Sequence, residues 1–152
     1  MNILWAHHSE TGPYSALVAF LATRIWGKAR PLPEGTVMAV ARGNTVIGAA
    51  LFNNYQPDAG TIEITAAADD ARWLTRATLR AMFAYPFAQL GCQAVILRAD
   101  PANKRLNRIA GAYGFQRHDL PRLRGRDKAE AIHILTDDAW RANRFHKETA
   151  HG

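Results

Sequence analysis

Three consecutive β-type runs, joined by two turn signals, lie in the first half of the sequence. Residues 36–42 and 45–53 are rich in apolar and β-branched residues and flank Gly43-Asn44, a dipeptide typical of hairpin turns. Residues 56–60, Gln-Pro-Asp-Ala-Gly, form a second turn signal before the run at 61–67. Strands joined by short turns pair antiparallel, so the sequence predicts a mostly antiparallel sheet in this region.

The remaining elements follow from hydrophobic periodicity. They are a strand at 1–6, a helix at 13–25, a long helix at 73–90 ended by Gly91, a buried strand at 94–97, a helix at 103–112 ended by Gly114, strands at 116–123 and 129–135, and a helix at 136–145. Ser9, Glu10 and Thr11 offer capping side chains for the first helix. Pro86, inside the long helix, predicts a kink or an early end, because proline removes one backbone hydrogen bond.

This order of elements predicts the fold class. We expect α/β (α+β) architecture, with a central, mixed, mostly antiparallel sheet of about six to seven strands flanked by helices. No repeat or low-complexity linker interrupts the pattern, so residues 1–145 are expected to form a single domain. Residues 146–152 are expected to be a frayed tail.

Composition limits the class of protein and its partners. Of 152 residues, 48% are hydrophobic and 21% charged, which is typical of a soluble globular protein. No apolar run is long enough to cross a bilayer, and the N-terminus does not resemble a signal peptide, so we expect a cytoplasmic protein without membrane contact. The only cysteine, Cys92, allows no internal disulfide and is typical of buried packing. The histidines lack the paired spacing of a zinc site, so no metal is expected.

Positive charge favours an anionic partner. Lys and Arg outnumber Asp and Glu by 19 to 13, giving a net charge of +6, and much of the excess falls at residues 98–126. Nucleic acid, an acidic protein surface and a phosphate-rich cofactor are all compatible with this charge. A solvated basic surface without a dedicated partner explains it equally well.

The segment between the third β-type run and the long helix is the strongest candidate for a site. A loop that enters a helix exposes backbone N–H groups, and with the positive end of the helix dipole these form an anion site suited to a pyrophosphate. Arg72 and Arg76 would add charge-assisted hydrogen bonds. Most strand-to-helix loops bind nothing, so the loop alone does not establish a phosphate site.

Two motifs resemble those of the GNAT acetyltransferases. The first is the six-residue run Arg72, Trp73, Leu74, Thr75, Arg76 and Ala77. It is similar to the family's loop of the form Gln/Arg-x-x-Gly-x-Gly/Ala, with Thr75 in place of the middle glycine. The second is Asn103, followed by a helix that closes on Gly114-Phe115. Residues 73–77 also look like the ribosomal-protein N-terminal acetyltransferase branch of the family.

The resemblance implies a function and a cofactor site. Members transfer an acetyl group from acetyl-CoA to an amine, and the loop cradles the CoA pyrophosphate, here with the Thr75 backbone N–H among the donors. The backbone of Thr65, Ala66 and Ala67 would pair with the pantetheine arm. Asn103 would bond the cofactor or simply cap its helix. On the same helix, three basic residues would meet the 3′-phosphate or remain solvated: Lys104, Arg105 and Arg108.

Glu63 is the candidate catalytic base. An amine must be neutral when it attacks a thioester, and a carboxylate within reach can accept its proton. Strand alternation places Glu63 on the face opposite Ile62 and Ile64, and in the family this strand runs beside the thioester. A solvent-facing strand glutamate is the alternative interpretation.

Some positions depart from the family pattern and leave other functions open. Many members carry a tyrosine, the general acid toward the CoA thiolate, where this chain has Ala110. Tyr113 lies nearly one turn further on, and packing at the helix end is its simpler explanation. The alternatives to an acetyltransferase acting on a protein N-terminus, a lysine or a small amine are an acyl-CoA-binding module with weakened turnover and, less favoured, an acetyltransferase acting on an RNA-linked amine. The amine acceptor is not readable from the sequence, and a homodimer is one open arrangement because family members often dimerise.

Overall fold

The computed structural model describes residues 1–146, and these contain seven strands and four α-helices. Their bounds are β1 Asn2–His7, α1 Thr11–Trp26, β2 Gly35–Arg42, β3 Thr45–Gln56, β4 Thr61–Ala68, α2 Arg76–Ala84, β5 Ala94–Ala99, α3 Lys104–Tyr113, β6 Gln116–Gly125, β7 Lys128–Thr136 and α4 Asp137–Ala142. The predicted class, α/β with a mostly antiparallel sheet of six to seven strands and flanking helices, is confirmed. The predicted tail lies outside the described residues except for His146.

Two compact units make up the chain: residues 1–55 with 63–85, and residues 56–62 with the chain from Pro86 onward. We call them unit 1 and unit 2. None of the described helices is long and apolar enough to span a membrane. The predicted extent of the domain, 1–145, stays a prediction.

In unit 1, strands β1, β2 and β3 pair antiparallel, and His7, Thr36 and Phe52 lie opposite one another across them. Successive side chains of a strand point to opposite faces of the sheet. One face packs against α1 through a buried apolar cluster that includes Leu21, Val37 and Leu51. The side chains of His7, Thr36 and Phe52, one position away along their strands, therefore belong to the other face.

Helix α1 is confirmed, but its start differs from the prediction. Glu10 occupies the N-cap position without a side-chain capping bond to the helix. Its carboxylate instead accepts a hydrogen bond from the His7 N–H at 3.2 Å, so it fastens the end of β1. The helix ends at Trp26, where Gly27 adopts the left-handed conformation with φ 77° that glycine tolerates best.

The long helix predicted at 73–90 is shorter than expected. Helix α2 begins at Arg76 because the hydroxyl of Thr75 caps it, and Trp73 lies in a separate 3₁₀ turn, Ala71–Trp73. Regular α-helix ends at Ala84, and a π-type turn follows over Tyr85–Gln89. Pro86 lies in that turn, so the predicted early end is confirmed.

In unit 2, β7 pairs antiparallel with both β5 and β6, and His133 of β7 lies opposite Leu97 and Arg117. His133 is fully buried, and its Nε2 lies 2.7 Å from Oδ1 of Asn107 on α3. Burial, with a smaller contribution from Arg117, lowers the pKa of His133. The imidazole is therefore a neutral part of the packing between α3 and β7.

The last helix, predicted at 136–145, is also shorter. Thr136 caps α4, which ends at Ala142 because Asn143 is extended, with ψ 156°. The Asn143 side-chain amide donates to the backbone oxygen of Tyr113 at 3.0 Å. A side-chain contact with α3 thus ends the helix earlier than its apolar periodicity predicted.

Candidate active site

Glu63 lies in β4 with the orientation that the alternation predicted. Ile62 and Ile64 are buried, whereas Glu63 between them is half-buried on the opposite side of the strand. Its Oε2 accepts a hydrogen bond of 2.6 Å from Nδ2 of Asn54 on β3. Glu63 is therefore a positioned carboxylate rather than a freely rotating surface glutamate.

Asn54 also has an unusual backbone conformation. Its φ is 53°, in the left-handed region that residues other than glycine, asparagine and aspartate rarely adopt. Such conformations cluster at functional sites, where the surrounding structure maintains them. Asn54 was not predicted as a site residue, because the predicted strand ended at residue 53, whereas β3 continues to Gln56.

The second half of β4 carries the residues expected to face the pantetheine arm. Thr65, Ala66 and Ala67 are all half-buried, and the strand ends at Ala68. All three have small side chains. Glu63 and these three residues lie on one strand of unit 1, directly before the candidate phosphate loop.

Three arginine–aspartate pairs hold the loop after β4. Arg24 of α1 contacts Asp69 through two hydrogen bonds of 3.0 and 2.9 Å, and these lower the pKa of the Asp69 carboxyl. Asp70 accepts two bonds from the Arg72 guanidinium, at 3.1 and 3.0 Å, and one from Arg42 at 3.1 Å. Arg72, and to a smaller extent Arg42, hold the pKa of the Asp70 carboxyl well below its usual range.

This arrangement changes the interpretation of Arg72. The side chain is 77% exposed but already engaged by Asp70, so an incoming anion would compete with that carboxylate. Asp70 also accepts the backbone N–H of Arg72 at 2.9 Å, which fixes the 3₁₀ turn. This role of Asp70 was not predicted from the sequence.

Trp73 has a packing role that the motif did not reveal. Its side chain is only 6% exposed, and it lies against Gly48 of β3 so closely that a Cβ at position 48 would overlap the indole ring. Only glycine leaves room for the ring there. Leu74 follows as the half-buried, extended residue that links the 3₁₀ turn to the cap of α2.

Thr75 and Thr78 form a reciprocal capping box at the start of α2. The Thr78 N–H donates to Oγ1 of Thr75 at 3.0 Å, and the Thr75 N–H donates to Oγ1 of Thr78 at 2.7 Å. The Thr75 N–H therefore already has an internal acceptor, and its predicted contact with a pyrophosphate stays a prediction. Arg76 and Ala77, the first residues of α2, are both exposed.

The Thr78 hydroxyl is expected to stabilise the loop. Thr78 is 3% exposed, and its Oγ1 donates to the backbone oxygen of Trp73 at 2.6 Å. Thr78→Val keeps the volume but leaves that oxygen and the Thr75 N–H without this partner, so the free energy of unfolding should fall by about 1–3 kcal/mol. Urea denaturation measures the change. Thr45→Val, at an exposed position of β3, is the matched control, and equal effects of the two substitutions would contradict the role of Thr78.

The second motif lies in unit 2, on α3. Asn103 is the N-cap, and its side-chain oxygen accepts the Leu106 N–H at 3.2 Å, so the capping interpretation is confirmed. Ala110 is buried, and the buried hydroxyl of Tyr113 accepts a hydrogen bond from Nε1 of Trp140 at 3.1 Å. Tyr113 therefore packs at the end of the helix, as the simpler interpretation predicted. The three basic residues of α3 are all exposed: Lys104, Arg105 and Arg108.

Solved structures share the fold of this chain. The chain resembles solved acetyltransferases in fold: one aligns over 69% of this chain and 58% of its own, with 19% identity and a TM-score of 0.58. A mutant of spermidine N-acetyltransferase from Vibrio cholerae aligns over 69% of this chain and 67% of its own, with 13% identity and a TM-score of 0.60. An acetyltransferase from T. thermophilus aligns over 69% of this chain and 60% of its own, with 18% identity and a TM-score of 0.57.

The family follows from the sequence match. The model of the acetyltransferase (GNAT) domain matches residues 5–116, and the chain belongs to this family. No curated protein sequence matches the chain significantly. The chain covers only 58% of the length of the first structural relative, so the similarity applies to part of that protein.

Proposed function

We propose that this chain transfers an acetyl group from acetyl-CoA to a primary amine, with Glu63 as the base. The Asn54–Glu63 hydrogen bond of 2.6 Å is the observation that carries the proposal, because it holds a carboxylate on the strand that leads into the candidate phosphate loop. The amine nitrogen bonds to the thioester carbonyl carbon, the C–S bond breaks, and CoA leaves as the thiolate. The proton lost by the amine passes to Glu63, directly or through a water.

Acetyl-CoA fits the residues of unit 1, with one change to the expected contacts. The Thr75 N–H has an internal acceptor, so the exposed start of α2 at Arg76 and Ala77, together with the helix dipole, would hold the pyrophosphate. Arg72 would contribute if the phosphate displaces Asp70. The backbone of Thr65, Ala66 and Ala67 would bind the pantetheine arm. Bound acetyl-CoA would supply the activated acetyl group.

The cofactor assignment predicts a loss of acetyl-CoA affinity in the double variant Arg72→Ala, Arg76→Ala. Each lost charge-assisted hydrogen bond should cost about 1–3 kcal/mol of binding, and the rise in melting temperature on adding acetyl-CoA should shrink accordingly. Calorimetry measures the affinity. The double variant Arg122→Ala, Arg126→Ala removes the same net charge from β6 and the turn after it and should retain the affinity. Equal affinity of the loop variant and the wild type would refute the phosphate site.

A second candidate function is an acyl-CoA-binding module with little turnover. It is favoured by α3, where Ala110 is buried and the Tyr113 hydroxyl is engaged with Trp140, so neither supplies an exposed acid for the CoA thiolate. Mass spectrometry of the purified protein for bound CoA, followed by thiol release with pooled amines, separates the two functions. CoA binding without thiol release would support the module.

The amine acceptor, the cellular location and the oligomeric state of the protein are also part of the proposal. A protein N-terminus, a lysine and a small amine are all compatible with the chemistry, and an RNA-linked amine is less favoured. The branch that acetylates ribosomal proteins gains no support from the structural neighbours, which include spermidine N-acetyltransferases that show the fold alone at 13% identity. Cytoplasmic location and a homodimer stay predictions; one neighbour is itself described as dodecameric.

A further inference from the structure

Strand β1 is the outer strand of unit 1, since among the described residues it pairs with β2 alone. An outer strand presents backbone N–H and C=O groups that another extended chain can bind. Proteins usually protect such an edge with charged side chains, with proline or with a β-bulge. β1 contains no Lys, Arg, Asp, Glu or Pro, and it pairs with β2 without a register shift. It therefore carries none of these protections in its own sequence.

The outer strand of unit 2 has all three protections. β6 pairs only with β7 in the described part of the chain, and its register shifts between Leu120 and Gly125. The shifted stretch contains Pro121, and the strand carries three arginines: Arg117, Arg122 and Arg124. Of these two outer strands, only β1 has an edge suited to pairing with a further strand.

The backbone bonds at the end of β1 show which residues face its open side. The His8 N–H donates to the backbone oxygen of Gly35 at 3.1 Å, so this pair, directly after the last pair of β1 with β2, is hydrogen-bonded. Along an antiparallel strand, the backbone groups of successive residues point to alternate sides. The even-numbered residues of β1 therefore bond to β2, whereas the N–H and C=O groups of Ile3, Trp5 and His7 point away from it.

Glu10 closes one end of this open side. Its carboxylate accepts the His7 N–H at 3.2 Å, and its own backbone N–H donates to the His7 oxygen at 2.8 Å. Both backbone groups of His7 are thus engaged outside the β1–β2 ladder. Ile3 and Trp5 are then the residues of β1 whose N–H and C=O groups face a further strand.

These four backbone groups suit a second copy of the same strand. In an antiparallel pair, two hydrogen-bonded residues exchange both of their backbone bonds. If Ile3 lies opposite Trp5 of the second copy, Trp5 lies opposite Ile3 of that copy, and all four groups of each chain are paired. Leu4 then lies opposite its own counterpart on the twofold axis, as a non-hydrogen-bonded pair with Cα atoms about 4.5 Å apart.

Other symmetric registers use β1 less well. A register centred on Trp5 would need the backbone of His7, which Glu10 already engages. A register centred on Ile3 would place Trp5 opposite Met1, which lies outside the strand. The register centred on Leu4 is therefore the one that pairs only open groups within β1.

Apolar side chains and a lack of positive charge favour a second copy as the partner. Residues 1–23 contain no Lys or Arg, although the chain has a net charge of +6, so two copies meet here without repulsion between basic side chains. Leu4 is 47% exposed, and the proposed register would bury it against its counterpart. Of the eight large apolar side chains that are exposed in the described chain, five lie in residues 1–26: Met1, Leu4, Trp5, Ile25 and Trp26.

We propose that two copies of this chain associate through β1, in a symmetric antiparallel pair centred on Leu4. The pair joins the strands of unit 1 from both copies into one sheet and removes the open edge of each. It gives the predicted homodimer a definite surface and register. The inference concerns assembly and is independent of acetyl transfer.

The first test exchanges the charge at position 4. The unmodified full chain should show twice the mass of one chain in sedimentation equilibrium at micromolar concentration. Leu4→Lys and Leu4→Glu each place like charges opposite one another and remove a buried leucine pair, so the dissociation constant should rise at least about tenfold. An equimolar mixture of the two variants should form dimers again, because lysine then faces glutamate. Leu123→Lys, at a 49% exposed position of β6, is the matched control and should stay dimeric.

Three results of this test would overturn the proposal. The first is a monomeric wild-type protein, which would leave β1 to an extended segment of another protein. The second is a dimer that persists unchanged in both variants at position 4. The third is a mixture that dimerises no better than its separate components, because Leu4 would then not face its counterpart.

A disulfide test measures the register directly. Cys92, the only cysteine of the chain, is 2% exposed, so Leu4→Cys adds an accessible thiol without a competing one. Mild oxidation should link two such chains, because a Cα separation of about 4.5 Å lies within the range of disulfides. Asn2→Cys, exposed on the same strand, is the control: its counterpart would lie four positions away, about 13 Å along the strand, and should not link. Equal linking of the two variants, or linking of Asn2→Cys alone, would contradict the register and with it the proposal.

Discussion

Glu63→Gln is expected to slow acetyl transfer by about 10²- to 10⁴-fold while acetyl-CoA binding stays unchanged. Glutamine has the size of glutamate and can still accept a hydrogen bond from Asn54, so β4 should keep its geometry. It cannot take the proton that the amine loses on attacking the thioester, and a positioned general base contributes a factor of this size. Single-turnover thiol release with saturating acetyl-CoA and an acceptor that the wild type acetylates measures the chemical step.

The control for this variant is Asp138→Asn, the same chemical change at an exposed position in the first turn of α4. It should leave the rate within the error of the assay. A Glu63→Gln protein that acetylates at the wild-type rate would show that Glu63 is an ordinary strand residue and that a water or another group takes the proton. A slow variant that has also lost acetyl-CoA affinity would instead indicate a disturbed β4.

Trp73→Ala is expected to lower the free energy of unfolding by about 3–5 kcal/mol, the usual cost of deleting a buried aromatic side chain. The indole fills the space over Gly48, and the Trp73 backbone ties the loop together: its N–H donates to the oxygen of Asp70 at 3.1 Å, and its oxygen accepts the Thr78 hydroxyl. The loss of the ring leaves a cavity beneath the loop that enters α2. Urea denaturation gives the change in stability.

Trp26→Ala serves as the reference, since it removes an equally large side chain from a site that is 40% exposed. Its cost should be well below that of Trp73→Ala. If both variants lose the same stability, the burial of Trp73 does not anchor the loop. Acetyl-CoA affinity measured on the folded Trp73→Ala protein should also fall, because the amides at the start of α2 lose their fixed position.

The strands and helices could be predicted from the sequence because the residues that specify them lie close together in the chain. Gly43-Asn44 and the turn at 56–60 mark the strand connections, Pro86 marks the end of regular helix in α2, and Asn103 caps α3, each through the conformation of a few neighbouring residues. The face of Glu63 also followed from the sequence, because strand alternation has a period of two and needs no tertiary partner. The family's loop and the Asn103 helix likewise lie within short segments.

Which groups contact one another within the site is determined by the tertiary structure alone. Asn54 reaches Glu63 across neighbouring strands of the sheet, and this contact leaves no pattern in the chain. The contacts of the loop after β4 could not be predicted either, because a motif specifies which residue types are present but not which groups they contact. Arg72 pairs with Asp70, the Thr75 N–H bonds the Thr78 hydroxyl, and Trp73 covers Gly48. Hydrogen-bond partners and close packing depend on groups brought together by the whole fold, so they become visible only when the chain is folded.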